Sequence, residues 1–463
     1  MNKTEQKLYP TTFPQLGFIT IDKYSLHKQL HQLPIYIVLN QKMDFELLRQ
    51  AFNVEIKRND CLRLRFKKQK GEWFQYFRPA YEETSISFVD FLGKTEQEQY
   101  DYFAKDAGKP VYFKKDEVYR IIFFTTPDGN SGIYFNVCHL IMDGSALFLF
   151  LIDMLEVYNA LANGTEMPSP LASFELCLQK DVAYMMDLER QKKDSVFFDE
   201  MLANGGEPIF TGVDGPNFLE KHRNKKKNPI ARRIPFNAIA STRSSAKTYH
   251  LSPEFTQRIY SFCAANNVSV QTLLQFGIRM FLAKENNCTE DVLFEILCSR
   301  RPTLADRGSG GCRVIPIPYR TIFKEELTAM EALQESSQAL SSVYRHADLS
   351  YYQWHDSLQR LYGTSPLEAY SSVIFNHMQT PQLPDKDMKL KVQWVSPQRF
   401  PTLLYSLAFK NFWDGGIDLI MEYRLSMLKE EHLDKMFDSM QKVLTECIEN
   451  PQITLHDILH KVL

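Results

Sequence analysis

The hydrophobic positions in the first half of the chain follow two periods, one typical of strands and one typical of helices. Short segments rich in β-branched and aromatic residues, bounded by Asn, Asp and Gly, predict strands. These segments read PIYIVLN, LRLRF, EWFQYF, YRIIFFTT and GIYFNVC. Helical spacing predicts helices over FELLRQAFNVEIKR and from Gly144 onward.

The second half repeats this mixture of elements. SPEFTQRIYSFCAANN, VQTLLQFGIRMFLAKEN and KEEHLDKMFDSMQKVLTECIEN predict helices, whereas DVLFEILCS and VIPIPYR predict strands. Alternation around Asp414-Gly415-Gly416 predicts a hairpin. Each half is therefore expected to be α+β with mixed sheets. Between Asn163 and Thr248 a charged, helical sequence gives way to a loop-like sequence rich in Gly, Asn and Pro and then in basic residues. We therefore divide the chain into two lobes, residues 1–180 and 181–463.

Composition narrows the class of protein. A length of 463 residues suggests about three domains or two large ones, and 44% hydrophobic residues argue against disorder. The net charge of −2 excludes a general nucleic-acid binder. The longest apolar stretch, residues 146–152, is shorter than the roughly 20 residues of a membrane span. With a polar start that does not look like a signal peptide, a cytoplasmic location is expected.

The eight cysteines form no C-x-x-C pair and have no histidine at zinc spacing, so we expect reduced thiols and no metal site. A basic segment, residues 221–233, holds seven Lys and Arg and no acid. We interpret it as a solvent-exposed, mobile loop. The alternative is a docking site for a phosphate or an acidic partner through Lys225, Lys226 and Lys227.

The most informative stretch is C-H-L-I-M-D-G, residues 138–144. A buried strand is predicted to end at His139, and Asp143 is of the type that caps a helix N-terminus. That helix would end at Gly164, which suits a left-handed C-terminal position. The spacing alone is weak, because a core histidine followed by a capping aspartate fits it equally well.

Four motifs in the same order give the chain a resemblance to the condensation domains of nonribosomal peptide synthetases, within the chloramphenicol-acetyltransferase-like acyltransferases. The family patterns are R-H-x-x-L-R-x-x-F, H-H-x-x-x-D-G, G-x-F-x-N-x-L-P-x-R and H-Q-D-x-P-F-E. Here they read RNDCLRLRF (residues 58–66), CHLIMDG (138–144), GCRVIPIPYR (311–320) and HADLSYY (346–352). Asn59, Cys138 and Ile315 depart from the patterns. The likeness spans about residues 10–450.

The resemblance implies an α+β fold of two acetyltransferase-like lobes, V-shaped, with His139 in a central tunnel. His139 would act as the base or orienting group, and Gly144 would present its N–H to the developing oxyanion. Asp143 would pair with Arg63 and hold the catalytic loop. Cys138, beside His139, is a further candidate docking residue for substrate or donor.

The resemblance further implies direct acyl transfer from a thioester to an amine or hydroxyl acceptor, with no tightly bound cofactor. The donor would sit on the phosphopantetheine of a carrier protein or on coenzyme A. Since no adenylation or carrier motif is found, a carrier would act in trans. Two alternatives stay open: a coenzyme-A-dependent alcohol O-acyltransferase, and a catalytically idle domain that recruits partner proteins.

Overall fold

The computed structural model describes residues 6–115, 117–236 and 241–463. Of the polar N-terminal start, residues 1–5 lie outside this part of the chain. Strands form wherever the apolar segments are short and β-branched or aromatic. In chain order they are β1 Tyr9–Pro10, β2 Gln32–Leu39, β3 Leu64–Gln69, β4 Glu72–Phe77, β5 Ser87–Asp90, β6 Tyr119–Thr125, β7 Ser131–Cys138, β8 Ile234–Pro235, β9 Ser244–Leu251, β10 Asp291–Cys298, β11 Ile315–Ile322, β12 Glu368–Ala369, β13 Val373–Met378, β14 Leu390–Trp394, β15 Leu404–Lys410 and β16 Ile417–Arg424.

Helices occupy the segments with helical spacing, and most begin at a Ser, Thr or Asp whose side chain accepts a hydrogen bond from the first turn. They are α1 Phe13–Tyr24, α2 Phe45–Arg58, α3 Glu96–Ala107, α4 Gly144–Asn163, α5 Phe174–Met186, α6 Leu188–Ala203, α7 Asn217–Lys226, α8 Pro253–Asn266, α9 Val270–Glu285, α10 Leu304–Arg307, α11 Ala329–Arg345, α12 Tyr351–Tyr362, α13 Glu430–Glu449 and α14 Leu455–Asp457.

Two large mixed sheets carry the fold. The first has the strand order β14-β2-β7-β6-β5, and the second has the order β11-β10-β13-β15-β16-β9. Each sheet combines antiparallel pairs with parallel ones, β5–β6 in the first and β10–β13 and β13–β15 in the second. The α+β prediction with mixed sheets is confirmed. The predicted hairpin is also confirmed, because β15 and β16 pair from Leu404↔Tyr423 to Lys410↔Ile417.

The division of the chain at residue 180 does not follow the sheets completely. β14 lies far beyond that division, yet it pairs with β2 of the first sheet from Leu390↔Leu39 to Trp394↔Ile35. The reason is that an open edge at β2 would leave backbone N–H and C=O groups unpaired, and the second half supplies the strand that covers them. Residues 390–394 therefore belong to the first sheet and not to the second lobe.

Helix α4 positions the loop that precedes it and lies in the core of the first half. Its 20 residues are long and apolar enough to cross a membrane by length and composition alone. However, 67% of its most apolar window is buried within the protein. Such burial is typical of a core helix, so the length of α4 is weak support for a span.

The basic segment differs from the predicted mobile loop, since its first part is helix α7. Leu219 is buried and anchors the helix, and Arg223 forms an ion pair with Glu220 at 2.7 Å. Cations near a helix C-terminus are favoured by the helix dipole, which explains why a basic run can be helical here. Lys225, Lys226 and Lys227 are exposed at that end.

Candidate active site

A cavity of about 2290 Å³ lies between the two large sheets, and we call it the central cavity. Residues of both halves line it. His139 and Gly144 come from the loop before α4 and its first turn, and Phe18 comes from α1. The second half contributes residues of β10, β13 and β15, among them Glu295 and Tyr405. The cavity brings the sequence motif around His139 opposite the face of the second sheet.

His139 is held from several sides. Its backbone N–H donates to the carbonyl of His31 at 2.8 Å, which fixes the residue directly after β7. Its ring stacks on Phe18, with ring centroids 4.2 Å apart and an interplanar angle of 24°. Nδ1 lies 3.8 Å from the Cys312 thiol. The backbone of His139 is thus fixed by the residue that precedes β2, and its imidazole is contacted by α1 and by the second half.

The environment of His139 keeps its ring uncharged. Burial in an apolar surrounding lowers the pKa of His139 to about 4, although Asp143 opposes this shift. A histidine with this pKa is neutral at pH 7. It can therefore accept a proton from an approaching nucleophile, as a general base must.

Asp143 performs two structural tasks with its two carboxylate oxygens. Oδ1 accepts a hydrogen bond from the Ala146 N–H at 3.0 Å, so Asp143 is the N-cap of α4 as predicted. Oδ2 accepts from the Arg301 guanidinium at 2.8 Å and from the backbone N–H of Arg313 at 2.9 Å. Burial would raise the pKa of Asp143, but the Arg301 charge and these hydrogen bonds hold it below its usual value.

The prediction that Asp143 pairs with Arg63 was wrong. Arg63 does not pair with Asp143, because its guanidinium donates to the carbonyl of Arg78 at 3.2 Å. Arg301 takes that place and is itself 7% exposed. The early motif reaches the site through other residues: a Cβ added to Gly310 would lie 2.5 Å from the Cys61 sulfur and 3.2 Å from Asn59 Oδ1. Arg63 therefore supports the first lobe and not the catalytic loop.

The backbone of the third motif also holds the loop before α4. We call these contacts, together with those of Asp143 to Arg301 and Arg313, the clamp. The Gly311 carbonyl accepts from the Asp143 N–H at 3.2 Å and from Arg301 at 3.0 Å. Gly311 has a φ of +94°, and a Cβ there would lie 2.1 Å from the Phe174 ring. Only glycine suits this position, because both the left-handed backbone and the packed ring exclude a side chain.

A buried network of arginines and aspartates surrounds the clamp. This network was not predicted from the sequence. Arg300 pairs with Asp181 at 2.9 Å, and Arg313 pairs with Asp181 and Asp306, each at 3.2 Å. A signal was present in the sequence. Two consecutive arginines directly after the apolar strand β10 are expected to be buried there, and buried charges require acidic partners.

Cys138 and the three lysines do not reach the central cavity. The Cys138 side chain is fully buried in the core of the first half, where burial raises the pKa of its thiol to about 12. Cys138 ends β7 and packs in this core, whereas His139, in the turn that follows, lines the cavity. The docking role predicted for Cys138 is therefore wrong. Lys225, Lys226 and Lys227 are also not among the residues that line the cavity.

Gly144 lies at the cavity wall, in the first turn of α4. A Cβ at this position would approach the Met378 sulfur to 3.4 Å, a tight contact with a flexible side chain. Its N–H belongs to the first turn of a 20-residue helix, where backbone N–H groups lack partners within the helix. The predicted oxyanion contact stays a prediction, but the position suits it.

One group of potential metal ligands exists within the described residues. Ligand atoms of Glu325, His456 and His460 lie within 4.8 Å of one another. Both histidines are exposed, and none of the three residues lines the central cavity. The cluster therefore takes no part in the site around His139.

Comparisons with known proteins identify the family of the chain. A family model described as the condensation domain matches residues 5–207 and 219–460. Surfactin synthase subunit 1 of Bacillus subtilis is 22% identical over 461 residues, which cover 98% of this chain but only 12% of that synthase. The chain thus spans a small part of the length of this curated relative.

Solved structures share the fold. The first condensation domain of the calcium-dependent antibiotic synthetase, in complex with a substrate analogue, aligns with a TM-score of 0.80 at 16% identity, over 97% of this chain and 98% of that one. A mutant starter condensation domain of rhizomide synthetase in complex with C8-CoA aligns with a TM-score of 0.78 at 16% identity, over 97% of each chain. The chain belongs to the condensation-domain family, whose fold is that of the chloramphenicol-acetyltransferase-like proteins.

The pairing of Asp143 with Arg301 generates a stability prediction. Removing one partner of a buried ion pair costs about 3 to 5 kcal/mol, because the other charge stays buried without compensation. We expect Asp143→Ala and Arg301→Ala each to lower the Tm by several degrees, and the double variant to lose less than the sum. Thermal melts followed by circular dichroism measure this.

Arg63→Ala is the matched control for this cycle. Since Arg63 does not contact Asp143, the losses from Arg63→Ala and Asp143→Ala are expected to add. Additive losses for Asp143 with Arg301, or coupled losses for Asp143 with Arg63, would contradict the pairing seen here.

Proposed function

We propose that this protein is a condensation-type acyltransferase that transfers an acyl group from a thioester to an amine or hydroxyl acceptor. The observation that carries the proposal is a neutral histidine, His139, held at the wall of a large cavity beside the N-terminus of α4. The clamp from Asp143 to Arg301 fixes the loop that presents it. Membership of the condensation-domain family supports the same reaction class.

The chemistry that these residues support is direct transfer. Nδ1 of His139 faces the Cys312 sulfur, which leaves Nε2 for the acceptor. As the acceptor attacks the thioester carbonyl, Nε2 takes its proton and then returns it to the departing thiolate. A new C–N or C–O bond forms and the C–S bond breaks. A thiolate is a good leaving group, so positioning in the cavity supplies much of the rate.

The negative oxygen that develops during attack needs a donor. The Gly144 N–H lies at the positive end of the α4 dipole and at the cavity wall, where such a donor stabilises the tetrahedral intermediate. Asp143 and Arg301 are positioning residues for this step, because their buried ion pair holds the loop that carries His139.

The donor is a carrier-bound or coenzyme A thioester. A structural neighbour holds C8-CoA, which supports a coenzyme A donor, and the relatives of this chain are large peptide synthases, which supports a carrier protein in trans. A coenzyme-A-dependent alcohol O-acyltransferase is the alternative with the same cavity and the same base. The acceptor's own nucleophile, an amine or an alcohol, distinguishes the two.

An idle, partner-recruiting domain is the other alternative, and the replacement of the family's first histidine by Cys138 raised it. Cys138 does not line the cavity, so this replacement leaves the cavity wall unchanged. His139, Asp143 and Gly144 keep a complete arrangement for catalysis. These observations favour an active enzyme.

The first test removes the base. We expect His139→Ala to stay folded and to lose transfer activity by at least about 100-fold, since general-base help is worth about 10²- to 10⁴-fold. The assay follows release of free thiol from an acyl-CoA and an acyl-carrier thioester with amine and alcohol acceptors. His377→Ala, which alters another histidine of the cavity wall, is the control and should stay within a few-fold of wild type. Undiminished turnover in His139→Ala would refute the assignment.

The second test is the pH profile. Because burial lowers the pKa of His139 to about 4, its ring stays neutral as the pH falls from 8 to 5. With a hydroxyl acceptor, which does not itself titrate in this range, kcat/KM should therefore show no loss caused by protonation of His139. The unfolded chain takes up this proton near pH 6.5, so the same histidine costs stability increasingly as the pH falls from 6.5 towards 4. Rates are therefore corrected for the folded fraction. An acidic limb centred near pH 6.5 after that correction would contradict a desolvated base.

The third test concerns Lys225, Lys226 and Lys227, which are exposed and do not line the central cavity. We expect the triple alanine variant to show unchanged kcat and unchanged donor KM with both coenzyme A and carrier-bound donors. A donor KM that rises, more at low salt and with kcat intact, would show instead that these charges dock that donor.

A further inference from the structure

A carboxylate without a partner lies in the wall of the central cavity. On β10, the alternate residues Leu293, Glu295 and Leu297 line the cavity, so Glu295 is an ionisable group between two apolar neighbours. Its Oε2 atom is buried and has no hydrogen-bond partner in the described part of the chain. Burial raises the pKa of Glu295 to about 8, because a lone carboxylate is poorly solvated there.

Helix α12 places two further polar side chains on the same wall. His355 and Tyr351 both line the cavity, with ring centroids 4.2 Å apart. Tyr351 and Glu295 line the same cavity, and burial together with the carboxyl of Glu295 raises the pKa of the Tyr351 hydroxyl. We call Glu295, Tyr351 and His355 the polar subsite.

The imidazole of His355 also lacks a partner. Its Nε2 is buried and unpaired among the described residues, and burial lowers the pKa of the ring to about 3, so it is neutral. The ring stacks on Trp354 at 3.8 Å, and the Trp354 indole donates to the Pro316 carbonyl of β11 at 3.1 Å. His355 is therefore held rigidly against the strand that neighbours β10, with one nitrogen unused.

Buried polar atoms without a hydrogen-bond partner destabilise the folded protein unless a ligand binds them. A second buried carboxylate, Glu422 on β16, shows how the fold satisfies one that serves structure. It accepts hydrogen bonds from Ser244 at 2.8 Å and from Ser396 and Trp394 at 2.9 Å each. Glu295 and His355 lie in the cavity wall, and each has a buried polar atom without a hydrogen-bond partner among the described residues. This arrangement is expected of side chains that bind a ligand.

We propose that the polar subsite binds a protonated amine carried by the substrate, separate from the nucleophile that His139 activates. A bound ammonium favours ionisation of the Glu295 carboxyl, which then accepts hydrogen bonds from the ammonium and compensates its charge. Neutral His355 offers an acceptor nitrogen, and the Tyr351 ring adds a face that attracts a cation. An anion would oppose this ionisation, and a neutral hydroxyl would bring no charge that favours it. The inference rests on the proposed function in taking the central cavity as the substrate site.

The test measures binding without turnover. Titration calorimetry at about pH 8.5, where the Glu295 carboxyl can ionise and alkyl ammonium groups stay protonated, uses the full-length His139→Ala protein with 1,5-diaminopentane, which offers a second ammonium, and with 1,5-pentanediol, its uncharged counterpart. We expect the diamine to bind and the diol not to bind. Adding Glu295→Gln should weaken diamine binding about 10- to 100-fold, the range typical of a hydrogen bond to a charged group. His355→Phe, which keeps a stacking ring but lacks Nε2, should weaken it several-fold.

Two controls separate ligand binding from folding. Glu422→Gln changes the satisfied carboxylate and should leave the diamine Kd unchanged. Glu295→Gln should leave the Tm unchanged or raised, because no protein partner is lost, whereas a structural role would lower it. The inference is overturned if the diamine does not bind, if the diol binds equally well, or if Glu295→Gln leaves the Kd unchanged. Diamine binding of the expected pattern in a protein whose wild type transfers no acyl group would support the subsite while refuting the proposed function.

Discussion

The site depends on the buried contact of Asp143 with Arg301. Asp143 is only 1% exposed, and a charge so deeply buried is tolerated only with full compensation. One of its oxygens caps α4, and the other receives the Arg301 guanidinium and the Arg313 N–H. Because the cap belongs to the first half and both donors to the second, the loop carrying His139 is held in place by both halves together.

This dependence explains why local patterns predicted part of the site and not the rest. The N-cap role of Asp143 follows from its position before an apolar helix and was predicted correctly. Its ion-pair partner lies 158 residues away, and no periodicity reports a contact of that kind. A family motif pointed to Arg63, but the charge requirement of Asp143 is met by whichever arginine the fold brings close. Here that is Arg301, at the end of β10.

The secondary structure shows the same boundary between local and long-range information. The helix predicted over FELLRQAFNVEIKR coincides with α2, and the five strands predicted in the first half are all present, since their side chains alone decide these elements. β14 could not be assigned to its sheet from the sequence, because its place depends on the open edge of β2 and not on its own composition. The burial of Cys138, by contrast, was predictable, because Cys138 ends an apolar strand of the core.

Neutral histidines are not rare in this protein, so a neutral ring alone does not identify a candidate base. Burial lowers the pKa of His31, His139 and His377 alike to about 4. What distinguishes His139 is the combination of a stacked ring, a clamped loop and the adjacent N-terminus of a long helix. The same low polarity that keeps these rings neutral makes any charge in the cavity costly. A substrate that carries a positive charge into this cavity therefore needs a group in the wall that can become negative, and this is the role that we propose for Glu295 between its apolar neighbours on β10.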